Sequence, residues 1–307
     1  MKTVRALFLC VFAVWSLGAA AQVSPLGAKA YAPEAFNGVP ADKRTSTYMV
    51  ALLKEGLDFP AGFMCGASII ANDWVLTAAH CLYDDKCNKL KFTSLYAIGG
   101  TVPLKPGLPR MDATAVRPHP GFRCIPLVDM IAAFKAGQPI PMGNDIGLVR
   151  LDGVRVPDPA LVLAKDRSDA AGQLVASGWG TLGNGGAMSS KLNSVQLATI
   201  ALAQCVQAWS PSTLSSDQLC VMPPSLSPPA GICSGDSGGP LVATVGLNRV
   251  QAGIVSLGHL VCNMVDRPSL FTNVFAHRPW IEENVGAANL AVASSSCTPA
   301  AIAANIC

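Results

Sequence analysis

The chain has 307 residues, of which half are hydrophobic and only 13% charged, against roughly 25% in an average soluble domain. That is enough apolar material for one large domain or two small barrels. A net charge of +3, spread over scattered basic residues, carries no nucleic-acid footprint.

The N-terminus reads MKTVRALFLCVFAVWSLGAAAQ. Lys2 and Arg5 form a basic start, Leu7 to Leu17 a short apolar run, and Ala19-Ala20-Ala21 a small-residue cleavage site. This pattern predicts a secretory signal over 1–21. The run is shorter than the ~20 residues a spanning helix needs, and no later segment is long and apolar enough, so no membrane partner is expected. The predicted destination is extracellular, or the periplasm if the source cell is Gram-negative. Residues 287–307 read as an Ala/Ser-rich tail.

Past the signal, strand-length apolar or alternating runs recur: Tyr48–Leu53, Ser68–Ala71, Trp74–Ala78, Leu95–Ile98, Ile146–Leu151, Leu174–Ser177, Val195–Ile200, Pro240–Val245, Val250–Val255 and Leu270–Val274. Gly, Pro, Asn or Asp separates many of them, which predicts an all-β sandwich or barrel. Arg123–Gly143, amphipathic in its middle, reads as a long surface loop. His277–Val285 reads as the single helix. Of eleven cysteines, Cys10 lies in the signal; the other ten, in an oxidising compartment, imply five disulfides of open connectivity. No zinc-finger spacing occurs, and no metal or cofactor is expected.

The chemistry concentrates in Gly231–Pro240, GICSGDSGGP. Gly235 to Gly239 satisfies G-x-S-x-G, the nucleophile elbow of α/β-hydrolases. That fold requires a helix after the serine, then an acid and a histidine, whereas glycines, a proline and a strand-like run follow Ser237. Upstream, Thr77-Ala78-Ala79-His80-Cys81 follows WVLTAA, and Asn144-Asp145 opens IGLVRL. The order is His, Asp, Ser. His119, His259 and His277 stand alone and read as structural.

TAAHC, NDIGLVRL and GDSGGP, with CGASIIANDW, SGWG at Ser177–Gly180, GIVSLG at Gly253–Gly258 and RPSLFTNV at Arg267–Val274, resemble the trypsin/chymotrypsin family of serine proteases from about Ala35 to Val285. The resemblance implies two six-stranded antiparallel β-barrels with a C-terminal helix. It implies a triad of His80, Asp145 and Ser237, an oxyanion hole from the N–H groups of Gly235 and Ser237, and a monomer that acts on peptides or proteins and meets protein inhibitors. Activity is expected to rise with pH as His80 loses its proton. The family's pairing implies Cys65–Cys81, Cys205–Cys220 and Cys233–Cys262. Of the four cysteines left, Cys87 and Cys124 fall in loops that rim one side of the cleft in this fold, which pairs them and leaves Cys297–Cys307 for the tail.

By the same resemblance the floor of the specificity pocket is Gly231, with Ile232 as an apolar wall, Gly258 at the entrance and Ser269 deeper in. An uncharged floor predicts an uncharged residue before the scissile bond, since a lysine or arginine would lose hydration there without compensation. Ser256-Leu257-Gly258 is expected to pair with substrate backbone. The Arg123–Gly143 insertion is expected either to decorate the surface or to narrow the cleft. Activation in this family pairs a freed N-terminal amine, here at Ala35, with Asp236, so the resemblance implies a propeptide over 22–34 and a protease domain over 35–286. Glu34 precedes Ala35 where the family has a basic residue, so the alternative is a secreted, catalytically silent homologue that binds or inhibits.

Overall fold

The computed structural model describes residues 38–100, 103–157, 160–183, 185–226, 230–258, 262 and 267–292. The signal, the propeptide segment, Ala35, His259, Cys297 and Cys307 lie outside the described residues. The strands are β1 (Val39–Pro40), β2 (Met49–Lys54), β3 (Phe63–Ala71), β4 (Trp74–Thr77), β5 (Leu95–Gly99), β6 (Met111–Pro118), β7 (Gly147–Leu151), β8 (Leu161–Leu163), β9 (Gln173–Gly178), β10 (Asn193–Thr199), β11 (Gln218–Met222), β12 (Pro240–Val245), β13 (Asn248–Leu257) and β14 (Ser269–Asn273).

They close into two six-stranded antiparallel barrels. The first runs β2-β3-β4-β7-β6-β5, with β5 returning to β2. The second runs β10-β11-β14-β13-β12-β9, with β9 returning to β10. Closure leaves these barrels no free sheet edge. Two short strands add to the second barrel: β1 pairs with β10, and β8 lies parallel to β13.

The period of two along β2 explains how the barrels join. Val50 and Leu52 point into the first barrel with Ala67, Ile69, Val75 and Val149. Met49, Ala51 and Leu53 point the other way, onto a cluster holding Trp179 and Val242 of the second half. Both faces of β2 are therefore buried. Between the barrels, the wholly buried Ser68 hydroxyl donates to Gln251 Oε1 at 2.8 Å.

Helices are where the sequence reading needs correction. Four are present among the described residues: α1 (Lys43–Tyr48), α2 (Leu127–Lys135), α3 (Leu202–Trp209) and α4 (Val274–Val285). Helix α2 occupies the middle of Arg123–Gly143, which the sequence pattern suggested was a loop. Pro126 stands at its N-cap, Asp129 in its first turn and Lys135 in its last, a charge order that suits the helix dipole. Helix α4 starts three residues before the expected His277 because the Asn273 side chain accepts from Phe275 N at 3.1 Å and caps it there. Val274, Ile281 and Val285 of α4 pack with Ile70, Leu76, Ile146 and Leu148 of the first barrel and Ile254 of the second. No helix among the described residues is long and apolar enough to cross a membrane.

Candidate active site

His80 stands where β4 ends. After Thr77 the chain passes through the buried Ala78 and Ala79 into a single 3-10 turn over His80–Leu82. Asp145 lies just ahead of β7, the neighbour of β4, so sheet pairing brings the two together. His80 Nδ1 lies 2.8 Å from Asp145 Oδ2, and the His80 backbone N–H donates to Asp145 Oδ1 at 2.8 Å. A carboxylate only accepts, so Nδ1 carries the proton and Nε2 keeps its lone pair. Burial alone would lower the His80 pKa, but the charge of Asp145 and its hydrogen bond outweigh that and raise it. Burial likewise works to raise Asp145, but the attraction of His80 and hydrogen bonds from His80 and Ser256 hold it below the usual carboxylate value.

Ser256 was expected to meet substrate through its backbone. Its side chain has another partner: the hydroxyl donates to Asp145 Oδ2 at 2.6 Å. The Thr272 hydroxyl donates to the Asp145 carbonyl at 2.7 Å. Neither contact was legible in the sequence, although GIVSLG and RPSLFTNV contain both residues.

Ser237 arrives from the second barrel on a tight loop. The Asp236 N–H donates to Cys233 O at 3.0 Å, closing a turn whose third residue, Gly235, has φ +94°. A positive φ there marks a type II turn, which favours glycine. A Cβ on Gly235 would also come within 2.7 Å of the Met188 sulfur. The next two residues dock the loop onto both barrels. Gly66 N–H of β3 donates to Ser237 O at 2.8 Å, and Gly238 N–H donates to Val255 O of β13 at 2.9 Å. A Cβ on Gly238 would meet the Thr77 hydroxyl at 2.2 Å and Gly66 O at 2.4 Å. Ser237 itself remains partly exposed, and so does His80.

Asp236 is turned inward and is 3% exposed. Its two oxygens accept from Gly180 N at 2.9 Å and Cys233 N at 2.8 Å. Burial pushes its pKa up to about 6, because these two amides offset only part of the desolvation. Gly180 belongs to the SGWG segment, which the sequence singled out without assigning it this role.

Beyond Val255 the chain paired with β13 on the Ser237 side runs out, so among the described residues Ser256–Gly258 present backbone on that side with no strand partner. Gly231 is roomy: an added Cβ would find only Cys262 O, at 4.0 Å. Ile232 is buried, and its side chain lies 3.4 Å from where a Cβ on Gly258 would sit. Ser269 is partly buried at the start of β14, opposite Val221. Helix α2 supplies Met130, Ile131 and Phe134 to an apolar cleft that Ile140, Trp209, Leu257 and Gly258 complete.

Four disulfides occur among the described residues: Cys65–Cys81, Cys87–Cys124, Cys205–Cys220 and Cys233–Cys262. The first closes a 16-residue separation beside His80 and on the chain-entropy model contributes about 3 kcal/mol. Cys65, His80 and Cys81 place possible ligand atoms close together, but the disulfide consumes both thiols.

The comparisons with known proteins agree with this architecture. The family model described as Trypsin matches residues 35–281. Serine protease 1 of Drosophila melanogaster is 32% identical, over 81% of this chain and 85% of its own length. Granzyme M of Homo sapiens is 29% identical, over 78% of this chain and 84% of its own. The vitellin-degrading protease of Bombyx mori is 29% identical, over 74% and 78%. With that match, two closed barrels and these relatives, the chain belongs to the trypsin family of serine proteases and is a serine-type endopeptidase.

Proposed function

We propose that Ser237 is the nucleophile of this endopeptidase, His80 its general base and acid, and Asp145 the acid that orients His80. The carrying observation is the 2.8 Å contact from His80 Nδ1 to Asp145 Oδ2, which leaves Nε2 free to take a proton. Ser237 Oγ attacks the scissile carbonyl as its proton passes to His80 Nε2. Collapse of the tetrahedral intermediate expels the amine, which takes that proton, and water then releases the acyl group by the same route. The amides of Gly235 and Ser237 stabilise the oxyanion, each worth roughly 2.7–4 kcal/mol in the transition state. A fluorophosphonate probe, followed by peptide mapping, tests this assignment. Label at Ser237 is expected, and its absence from the processed protein would sink the reading.

The residue before the scissile bond is uncharged and medium to large, such as Leu, Met, Phe or Tyr. Gly231 offers no countercharge, Ile232 adds an apolar wall, and Ser269 and Ile232 limit the bulkiest side chains. The substrate backbone adds as a strand along Ser256–Gly258. Helix α2 narrows the cleft beyond Leu257, which favours peptides over folded proteins. Gly231→Asp is expected to shift cleavage toward Lys and Arg in a peptide-library profile; an unchanged profile would place the pocket floor elsewhere.

Maturation frees an amine at Ala35 that pairs with Asp236, and the first 21 residues direct secretion. The buried carboxylate of Asp236, with only amide donors among the described residues, supports that pairing. N-terminal sequencing of the exported protein locates both cleavages.

A further inference from the structure

His119 and His277, isolated in the sequence, meet in the structure. Their rings are 5.2 Å apart, and His119 also lies 5.0 Å from Trp280. His277 is buried on α4, and its Nε2 lies 3.6 Å from Asp217 Oδ2. Asp217 immediately precedes β11 in the second barrel, and its carbonyl is anchored by the Asn273 N–H at 2.8 Å. Its Oδ2 crosses to the first barrel and accepts from the Asn144 N–H at 2.7 Å, while the Ser215 hydroxyl donates to Oδ1. Burial works to raise the Asp217 pKa, but the nearby His277 imidazole and hydrogen bonds from Ser215 and Asn144 bring it down to about 2.

Asn144 has φ +54°, a left-handed conformation that few residues other than glycine adopt readily. It immediately precedes Asp145. Three successive residues are thus clamped: Asn144 through its N–H by Asp217, Asp145 through its carbonyl by Thr272, and Ile146 through its carbonyl by the His119 N–H at 2.9 Å. Of these three clamps, only the first is made by a charged side chain. A left-handed turn held by a charged partner immediately before Asp145 sets the direction in which that segment leaves the loop.

We propose that Asp217 is a positioning residue for the reaction: through the Asn144 amide it fixes the segment that aims Asp145 at His80, and His277 holds Asp217 in place. The proposal rests on the triad reading above. The groups facing the Asp217 carboxylate are His277 from α4, Ser215 from its own loop, the Asn144 amide from before β7, and His119 behind His277.

Asp217→Ala and Asp217→Asn test it, each assayed for kcat, KM and the acidic limb of kcat/KM on a short peptide amide. Asp217→Ala is expected to lower kcat by roughly 10- to 100-fold, the scale of a small misplacement, with KM within about twofold. Its acidic limb moves to lower pH, because His80 loses part of the Asp145 charge that raises its pKa. Asp217→Asn, which keeps an oxygen for the Asn144 amide, recovers most of the loss. An unchanged kcat and limb in Asp217→Ala, a loss with the limb unmoved, or no rescue by asparagine overturns the proposal. If Asp217→Ala does not fold, Ser215→Ala, at an exposed position, is expected to shift the limb less and in the same direction; no shift overturns it. Failure of the parent enzyme to take the fluorophosphonate label would instead bring down the triad, and this proposal with it.

Discussion

Replacing Ser237 with alanine is expected to lower kcat by about a million-fold, the scale found when a serine protease loses its nucleophile. The fold is expected to survive. Ser237 is partly exposed, and its loop is held by backbone bonds, from Gly66 N–H to its carbonyl and from Gly238 N–H to Val255, that alanine leaves in place. Losing one partly exposed hydroxyl removes no buried packing, so stability should stay within about 0.5 kcal/mol. Amide hydrolysis beside a urea melt checks both halves. More than a few per cent of the parent rate, with the label gone, would mean that another group performs the attack.

The second large effect is a pH dependence at Asp236. Its pKa is 3.8 as an isolated side chain and about 6 in the fold. Between those values the folded state binds more protons than the unfolded one, so stability falls as pH rises through the window and levels off above about 6. A shift of about two units corresponds to about 3 kcal/mol. The loss applies while no cation faces the carboxylate. A free amine there would favour the charged form and restore stability at neutral pH. Urea melts of the unprocessed chain and of its Asp236→Asn variant, at about pH 4 and about pH 7, isolate this group. Asparagine should gain on the parent by about 2 kcal/mol between the two conditions. A constant difference would rule out titration of Asp236 as the cause.

How much of this was legible beforehand depended on whether a segment announces its own burial. Strands such as β2 and β12 are nearly continuous apolar runs and read directly. Strand β6 does not: of MDATAVRP only Ala113 is buried, so it has little hydrophobic pattern, and its place comes from its neighbours β5 and β7. The three-residue β8 is too short to show a period. Helix α2 buries no residue fully, and its apolar side faces a cleft rather than a core. The three motifs that carry the proposed triad were legible because they keep their chain order. The contacts from Ser256, Thr272 and Asp217 to the Asn144–Asp145 segment, and from Gly66 to Ser237, were not, because each depends on one barrel meeting the other.

That meeting has a consequence for how the protein fails. His80 and Asp145 ride on the first barrel, and Ser237 and Ser256 on the second. The Gly66 amide reaches across in one direction and the Ser256 hydroxyl in the other. On the proposed triad, the seam between the halves is thus the reaction centre itself. Warming that loosens the seam by about an ångström is expected to extinguish turnover while each barrel still keeps its strands, so that activity reports docking earlier than any measure of secondary structure.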